Sequence, residues 1–360
     1  MLKNKLAFAG GLVLAIGMIM LVSLPEKTAS KVHVGVILPL TGQYASLGES
    51  DRNAMLMAKE DLAASNIELH FEDDAYDAKK AVSAYRQLRS VHDIDAVVVL
   101  SAPSIQALAP LTNADRIPLL GLGGTLVYEK DSVFQIMPSG DTLFVKLGQV
   151  YGDTYPYIAV AHSNAALFTL NANSFKKGLP PTVKIDDVAL APALDYRTEI
   201  QKILNKGPDA VTTFMAKEDA IRFLKALRTQ DPKGTVRIIC DFGTELAVNE
   251  YAAAIGQERL EGCLSTNLAD TATQGFKERY QERFKAEPNL TGDYAYDSLG
   301  IIKGLSEAGP ADTWINMLSS RDFEFDGYAS GKIRFNEDGT RFDIAPDVHI
   351  YRNGRFEPMF

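Results

Sequence analysis

Short apolar segments alternate with amphipathic segments along most of the chain. The apolar segments are four to eight residues long and rich in Val, Ile and Ala. Such runs are typical of strands buried on both faces of a parallel sheet. The predicted strands are Val32–Leu38, Ile67–Phe71, Ala96–Leu100, Pro118–Leu122, Ile158–Ala161, Val183–Leu190, Ala210–Phe214 and Val236–Ile239.

The segments between these strands have helical spacing of apolar residues. They include Ala78–Val91, Tyr196–Asn205 and Glu218–Thr229. Strands that alternate with helices at this spacing predict an α/β fold with parallel sheets covered by helices on both faces. In this doubly wound architecture ligands bind beyond the carboxyl ends of the strands.

The alternation runs twice, which predicts two lobes. One series ends near Met137–Gly140, and the second begins near Tyr157. A helical section, Gln274–Ser320, follows, and the chain closes with hairpin-like strands at Lys332–Phe335 and Val348–Tyr351. Turns are predicted at residues 337–339 and at Asn353-Gly354, the latter of type I′. We expect one lobe from residues 31–139 plus 269–342 and the other from residues 140–268 plus 343–360.

The stretch Val32–Gly48 shows how a strand leads into a helix at the edge of the first lobe. Pro39 ends the strand, Thr41-Gly42 supplies a turn, and helical spacing follows after Gly48. A helix that starts after such a loop presents free backbone N–H groups, which suit an anion.

The first thirty residues are predicted to be an export leader. Lys3 and Lys5 precede an apolar segment, Leu6–Val22, and small residues precede Lys31. This order is typical of either a cleaved signal peptide or a retained signal anchor. In both cases the rest of the chain lies outside the cytoplasm, in the periplasm, and it contacts the membrane only through residues 6–22 if these remain attached.

The net charge narrows the class of partner, and the two cysteines leave a choice open. Without residues 1–30, which hold three of the 37 basic and one of the 46 acidic residues, 34 basic and 45 acidic residues remain, a net charge of −11. Such an acidic chain argues against nucleic acid and anionic membranes as partners. Cys240 and Cys263 form either one disulfide or two buried thiols.

Seven stretches, in order, resemble the periplasmic Leu/Ile/Val-binding protein family, the amino-acid and amide receptors of ABC transporters. The likeness covers nearly all of residues 31–360. It implies a type I periplasmic-binding-protein fold, with two lobes joined by three crossovers around a cleft. It also implies a small-molecule ligand, the membrane subunits of an ABC transporter as partners, no cofactor and no enzymatic activity. The stretches are VGVILPLTGQYASLG, FEDDAYDAKKAV, VVVLSAPSIQALAP, IPLLGLGGT, DYRTEIQKILNKGPDAV, YAYDSLGIIKGLSEAG and GKIRFNEDG.

The resemblance implies that a Ser and a Thr of the first lobe hold the carboxylate of the ligand. Ser104 and Thr125 match these positions, although Ser104 also suits a helix N-cap and both suit a turn. Gly123 and Gly124 would let the backbone approach the ligand closely. Thr41, in the first turn, and Tyr294, in a segment near the cleft, complete the candidates of this lobe.

The resemblance further implies an acidic group of the second lobe for the ammonium of the ligand. Asp241 matches best, Glu245 and Asp219 are weaker candidates, and the alternative for Asp241 is a solvated turn. Where relatives place covering aromatic residues, this chain has Leu47, Leu167 and Ala216. The ligand class is therefore predicted only as a small polar molecule, such as an amino acid or an amide.

Signals for catalysis and for metal binding are weak. The five histidines, His33, His70, His92, His162 and His349, are scattered, with no pair at metal-ligand spacing. Asp73, Asp74 and Asp77 are expected to shape a loop and cap the next helix. P-loop, G-x-S-x-G and C-x-x-C motifs are absent. The prediction is a transport receptor, and the alternative is a membrane-anchored sensor or regulatory receptor of the same fold, with or without a small-molecule ligand.

Overall fold

A computed structural model describes residues 31–123, 131–267, 271–342 and 344–359. Two parallel sheets form its centre, and helices flank both. In chain order the strands and helices are β1 (Val32–Leu38), α1 (Ala45–Asp61), β2 (Ile67–Asp73), α2 (Ala78–His92), β3 (Ala96–Val99), α3 (Ala102–Asp115), β4 (Leu119–Gly121), β5 (Val133–Gln135), α4 (Gly140–Gly152), β6 (Tyr157–Ser163), α5 (Ala166–Gly178), β7 (Lys184–Leu190), α6 (Arg197–Lys206), β8 (Ala210–Phe214), α7 (Lys217–Gln230), β9 (Arg237–Ile238), α8 (Phe242–Leu246), α9 (Val248–Ile255), β10 (Leu264–Asn267), α10 (Gln274–Phe284), α11 (Gly292–Ala308), α12 (Trp314–Leu318), β11 (Phe325–Gly327), β12 (Gly331–Ile333), β13 (Asp347–Arg352) and β14 (Arg355–Pro358).

The first sheet has the order β2-β1-β3-β4-β5, and all its pairs are parallel. Its interior strand β1 is apolar on both faces because helices cover both. Val34 and Val36 pack in the core with α1 and α11, whereas Ile37 packs in the core with α2 and α3. We call this sheet and its helices lobe one.

The second sheet has the order β7-β6-β8-β9 and is also parallel. One core holds Phe223 of α7, and a core on the opposite face holds Phe175 of α5. A small antiparallel sheet, β10-β13-β14, adds Tyr351 to the first of these cores. We call this assembly lobe two.

The chain passes between the lobes three times. The passages lie between β5 and α4, between β10 and α10, and between β12 and β13, as membership of the separate cores shows. The predicted α/β class with two doubly wound parallel sheets is confirmed. The residue boundaries proposed for the lobes stay a prediction.

Two details at the ends of the fold can be compared directly with the prediction. The turn at Asn353-Gly354 has positive φ at both residues, +52° and +88°, as a type I′ turn requires, and it joins β13 to β14. The strand predicted at Lys332–Phe335 is wrong in extent. It spans Gly331–Ile333 and pairs with β11, because Gly331 adopts a positive φ at the turn between them.

The start of α1 is also earlier than predicted. The helix begins at Ala45 and not after Gly48. Gly48 lies inside it because the helix approaches the end of β1 closely: a Cβ at this position would lie 2.3 Å from the carbonyl oxygen of Pro39.

The predicted leader, residues 1–30, lies outside the described residues. Within the ranges that the structure describes, none of the helices combines the length and apolar character needed to cross a membrane.

Cys240 and Cys263 form a disulfide, which resolves the alternative left by the sequence. The bond joins the end of the β9 segment to the start of β10, with Cα atoms 5.9 Å apart. Tyr151 of α4 donates a hydrogen bond from its hydroxyl to the carbonyl of Leu264, one residue beyond the bond. The disulfide therefore fixes the loop that carries Asp241, the next residue in the chain.

The disulfide should contribute substantially to stability. It closes a segment with a sequence separation of 23 residues. We expect the double variant Cys240→Ser/Cys263→Ser to lose roughly 3 kcal/mol of unfolding free energy, because the open chain has more unfolded conformations. Urea denaturation with and without dithiothreitol measures this difference. Superimposable curves for the oxidised and reduced wild type would contradict it.

Candidate functional site

The carboxyl ends of the parallel strands form one edge in each lobe, and five helices begin there without side-chain caps. These are α1 and α3 in lobe one and α5, α6 and α7 in lobe two, which follow β1, β3, β6, β7 and β8. Their N-cap residues accept no hydrogen bond from the helix through their side chains; they are Tyr44, Ser101, Ala165, Tyr196 and Ala216. Helix starts of this kind leave backbone N–H groups free and attract negative charge.

Other helix starts in the molecule are of both kinds. Asp77, Ser139 and Thr273 accept hydrogen bonds at the starts of α2, α4 and α10, whereas α9, α11 and α12 start without a side-chain cap. The lack of a cap therefore does not by itself distinguish the carboxyl edges. The position does, because starts at these edges lie where doubly wound folds bind ligands.

Ser104 lies in the first turn of α3 and is fully buried. Its hydroxyl donates a hydrogen bond to Oδ2 of Asp74 at 2.5 Å. The prediction that Ser104 is a helix N-cap is wrong: Ser101 takes that position. Pro103 fits the first turn of a helix, which places Ser104 inside.

Ser101 was missed by sequence reasoning. It directly follows the apolar strand segment, is fully buried, and its Oγ has no hydrogen-bond partner among the described residues. A buried hydroxyl without a partner is costly, so a ligand oxygen at this place would be favoured. Its position one residue after Leu100 was the available signal.

Thr41 lies on the exposed loop after β1 and is held by Asp73 at the end of β2. Its hydroxyl donates to Oδ2 of Asp73 at 2.5 Å, and the N–H of Leu40 donates to Oδ1 at 2.8 Å. Desolvation raises the pKa of Asp73, but the hydrogen bonds from Thr41, Ala75 and Leu40 outweigh it and leave that pKa below its usual value. The carboxylate thus fixes the loop as an anion.

The neighbouring aspartates have the predicted structural roles. Asp74 accepts the N–H of Tyr76 at 2.9 Å, and Asp77 accepts the N–H groups of Lys79 and Lys80 at the start of α2. The prediction that this acidic group shapes a loop and caps a helix is confirmed.

Gly123 lies in the segment after β4, next to the end of β3. A Cβ at this position would lie 2.6 Å from the carbonyl oxygen of Leu100, so a side chain would push the two segments apart. The close approach is therefore between two backbone segments of lobe one. Gly124 and Thr125 lie outside the described residues.

Asp241 caps α8 at the edge of lobe two. Its Oδ1 accepts hydrogen bonds from the N–H and the hydroxyl of Thr244, at 2.8 and 2.7 Å. Burial raises the pKa of this carboxyl, and the hydrogen bonds from Thr244 offset only part of that effect. Within the described ranges no basic side chain forms an ion pair with it, so a ligand cation would be favoured beside it.

The two weaker acidic candidates already have partners. Oε1 of Glu245 lies 2.6 Å from Nδ1 of His349 and accepts a hydrogen bond from Asn267 at 2.8 Å. Asp219 accepts hydrogen bonds from the hydroxyl of Tyr196 and from Arg222. Of these three candidates, Asp241 is the one without an ion pair among the described residues.

Tyr294 lies in α11 within a buried polar group that we call the hinge cluster: Thr271, Asp293, Tyr294, Asp297 and Arg341. The hydroxyl of Thr271 is 3.1 Å from that of Tyr294, and the guanidinium of Arg341 lies 5.6 Å from the ring centroid. Arg341 donates to the carbonyls of Ser330 and Lys332, at 2.7 and 2.8 Å. The cluster therefore lies where the passages between lobes leave lobe one, and Tyr294 belongs to it.

Tyr296, two residues further along α11, packs in the core of lobe one. It is buried and forms an edge-to-face contact with Phe276 of α10, with ring centroids 5.6 Å apart.

A pair of aromatic residues at the edge of lobe one was also missed. The rings of Tyr44 and Tyr76 are 4.3 Å apart, and Tyr44 is 37% exposed. The pKa of Lys217 in lobe two is raised, first by its hydrogen bond to Glu250, and Tyr44 adds a smaller contribution. Tyr44 thus leaves part of its ring exposed at the carboxyl edge of lobe one, whereas nearby Leu47 packs against the lobe-one core.

The prediction that the histidines are scattered is wrong for three of them. His33 and His70 lie on paired strands, with Nδ1 and Nε2 3.1 Å apart, and His92 stacks on His70 with centroids 3.7 Å apart. Strand register brings together residues far apart in sequence. Desolvation, followed by the neighbouring His92 and His33, lowers the pKa of His70.

A family model described as periplasmic binding protein matches residues 31–343. The fold is similar to that of a leucine-binding protein from Thermotoga maritima, at 18% identity and a TM-score of 0.73, covering 91% of this chain and 98% of that one. It is similar to a branched-chain amino acid transporter substrate-binding protein from Streptococcus pneumoniae in complex with isoleucine, at 17% identity and 0.70, covering 91% and 98%.

A third similar structure is an ABC-transporter solute-binding protein from R. palustris in complex with 4-hydroxybenzoate. It has 17% identity and a TM-score of 0.70, with 91% of this chain and 95% of that chain covered. No curated protein matches this chain. These likenesses confirm the two-lobed fold predicted from the sequence.

Burial in the hinge cluster makes stability depend on pH. Desolvation raises the pKa of Asp293 to about 7 in the folded protein. In the unfolded chain the pKa of an aspartate is about 3.9. The folded state therefore binds more protons between these values, and stability should fall as pH rises from about 4 to about 7. Asp293→Asn should flatten this fall, measured as unfolding free energy against pH. An unchanged slope in the variant would contradict it.

Proposed function

The chain belongs to the periplasmic binding protein family, and we propose that it is the solute-binding protein of an ABC transporter that works outside the cytoplasm. It would capture a small ligand with a carboxylate or similar anionic group by closure of the two lobes. It would act by binding and not by catalysis. The membrane subunits of the transporter would then receive the ligand from the closed form.

One observation carries this proposal: the uncapped helix starts at the carboxyl edges of both parallel sheets. The start of α3 supplies N–H donors in lobe one, and those of α5 and α7 supply them in lobe two. At α1 the N–H groups of Ala45 and Leu47 bond to the carbonyls of Gly42 and Tyr44, which leaves that of Ser46 as a donor. Isoleucine and 4-hydroxybenzoate, bound by two proteins of similar fold, both carry a carboxylate. Charge-assisted hydrogen bonds from backbone N–H groups suit such a group.

Lobe one would hold the anionic group. The hydroxyl of Ser101, which has no hydrogen-bond partner among the described residues, adds a donor to the N–H groups of the helix starts there. The hydroxyl of Ser104 is directed to Asp74, so a role in ligand binding would require it to exchange partners. Thr125 and Gly124 stay candidates by resemblance, as do Thr41, Gly123 and Tyr294 by position.

Lobe two would supply Asp241. Its carboxylate is desolvated and lacks a basic partner among the described residues, so an ammonium or amide group of a ligand would offset its desolvation. Two charge-assisted contacts contribute roughly 1.5–3 kcal/mol each. Since a micromolar dissociation constant corresponds to about 8 kcal/mol, apolar contacts such as the exposed ring of Tyr44 must contribute as well.

Closure follows from the two-lobed arrangement. A ligand held by groups of both lobes binds the closed form more tightly than the open form, and this difference shifts the population toward closure. The three passages between the lobes make such a movement a hinge motion. The hinge cluster lies at these passages.

A ligand screen tests the proposal first. We expect the thermal midpoint of unfolding to rise with one class of compound in a panel of branched-chain amino acids, amides, urea, short carboxylates and hydroxybenzoates. Titration calorimetry of the active compound should show one site per chain. A folded protein that responds to none of these classes would count against the transport function.

Asp241→Asn separates the two ligand chemistries. Asparagine caps a helix about as well as aspartate, so α8 should keep its start while the negative charge is lost. For an amino acid or another ligand with an ammonium group, we expect the dissociation constant to rise at least about tenfold. For a hydroxybenzoate, which lacks an ammonium, affinity should stay the same or increase. Unchanged affinity for an amino acid would exclude Asp241 from the site.

Ser101→Ala tests the lobe-one side. Since Ser101 Oγ has no hydrogen-bond partner among the described residues, the variant should keep its unfolding free energy. Its affinity for the active carboxylate should fall about fivefold to tenfold. Thr125→Ala, tested beside it, examines the residue implied by resemblance. Normal affinity in both variants would move the anion site away from these loops.

A further inference from the structure

The histidine cluster lies at the amino end of the lobe-one sheet, on the side opposite to the helix starts. His33 is the second residue of β1, and Glu68 and His70 belong to the neighbouring edge strand β2. The strand from His33 to Leu38 rises about 17 Å, so the cluster is well separated from the carboxyl edge.

Strand pairing places these side chains on one face. His33 is the register partner of Glu68, and Gly35 is the partner of His70. Because side chains alternate along a strand, His33 shares its face with Glu68 and His70. The same face carries α2, since a Cβ on Gly35 would contact Leu88 and Ile94. His92, the last residue of α2, stacks on His70 with the ring planes 15° apart.

The donor atoms are close enough to share one ion. Nδ1 of His33 and Nε2 of His70 are 3.1 Å apart, and Oε2 of Glu68 lies 3.6 Å from the same Nδ1. Zn–N bonds of about 2.0–2.1 Å place two imidazole nitrogens about 3.3 Å apart on a tetrahedral zinc ion. The observed spacings therefore fit a common ion after small side-chain rotations.

We propose that His33, Glu68 and His70 bind a divalent transition-metal ion, with zinc as the best fit, at the amino edge of the lobe-one sheet. Two imidazoles and one carboxylate form a donor set typical of zinc, with a fourth position left for water. The set also suits nickel and copper, whereas calcium and magnesium prefer oxygen donors.

The surroundings are compatible with entry of an ion. The side chains of His33 and Glu68 are 30% and 38% exposed, and β2 is an edge strand. The ring of His92 stacks on that of His70, and His92 is not a member of the group whose donor atoms all lie within 4.8 Å of one another. Lys31 binds Oε1 of Glu68 at 2.6 Å, which leaves Oε2 directed to His33.

The experiment is a titration of the exported protein, purified without a histidine tag, with zinc chloride. Calorimetry should show one site, and cobalt(II) should give ligand-field absorption of a low-coordinate site. His33→Ala and His70→Ala should each raise the dissociation constant for zinc at least about tenfold, and Glu68→Gln should raise it in the same direction. Circular dichroism establishes whether each variant is folded. If His33→Ala or His70→Ala is not folded, the comparison with the wild type uses Glu68→Gln instead.

His92→Ala is the matched control, because it removes an imidazole of the same cluster that is outside the donor set. Its zinc affinity should change less than about threefold. Absence of zinc binding up to 1 mM (roughly −4 kcal/mol), or equal affinity of His33→Ala, His70→Ala and the wild type, would overturn the proposal. Loss of binding in His92→Ala with normal binding in His33→Ala would overturn the donor set.

Discussion

The parallel arrangement of every strand in the two large sheets is the constraint on which the rest of the structure depends. A parallel strand must be followed by a crossover, so each strand leads into a helix at the same edge. This rule collects the loops after β1, β3, β6 and β8 at the carboxyl edges and buries strands such as β1 on both faces. The chemistry at these edges depends on which backbone N–H groups and hydroxyls the loops leave without hydrogen-bond partners.

The loops use some polar groups for their own structure and leave others free. Asp73 and Asp77 are engaged with backbone N–H groups and fix the loop after β2. The starts of α1, α3, α5 and α7 lack side-chain caps, and the hydroxyl of Ser101 has no hydrogen-bond partner among the described residues. The candidate site consists of the donors that remain, and it is a site for an anion because these donors are N–H and O–H groups.

The sequence predicted most of what local pattern determines. Buried parallel strands are continuous apolar runs, so β1 and β8 were predicted with their full bounds. Asp241 was named by resemblance, and its role in ligand binding stays a prediction. A shift of one turn separated Ser104 from the true cap Ser101, since Pro103 allows the helix to begin earlier. His33 and His70 escaped notice because only strand register, 37 residues apart, brings them together. The disulfide required the distance between Cys240 and Cys263, which spacing in the sequence does not determine.

Hydrogen exchange tests the central claim, that one ligand is held by helix starts of both lobes, most directly. The active compound of the ligand screen is added at saturation, and exchange of the backbone amides is followed by mass spectrometry. The account predicts slower exchange at the first turns of α1 and α3 in lobe one and of α5 and α7 in lobe two, all together. Protection confined to one lobe, or located away from these helix starts, would contradict it.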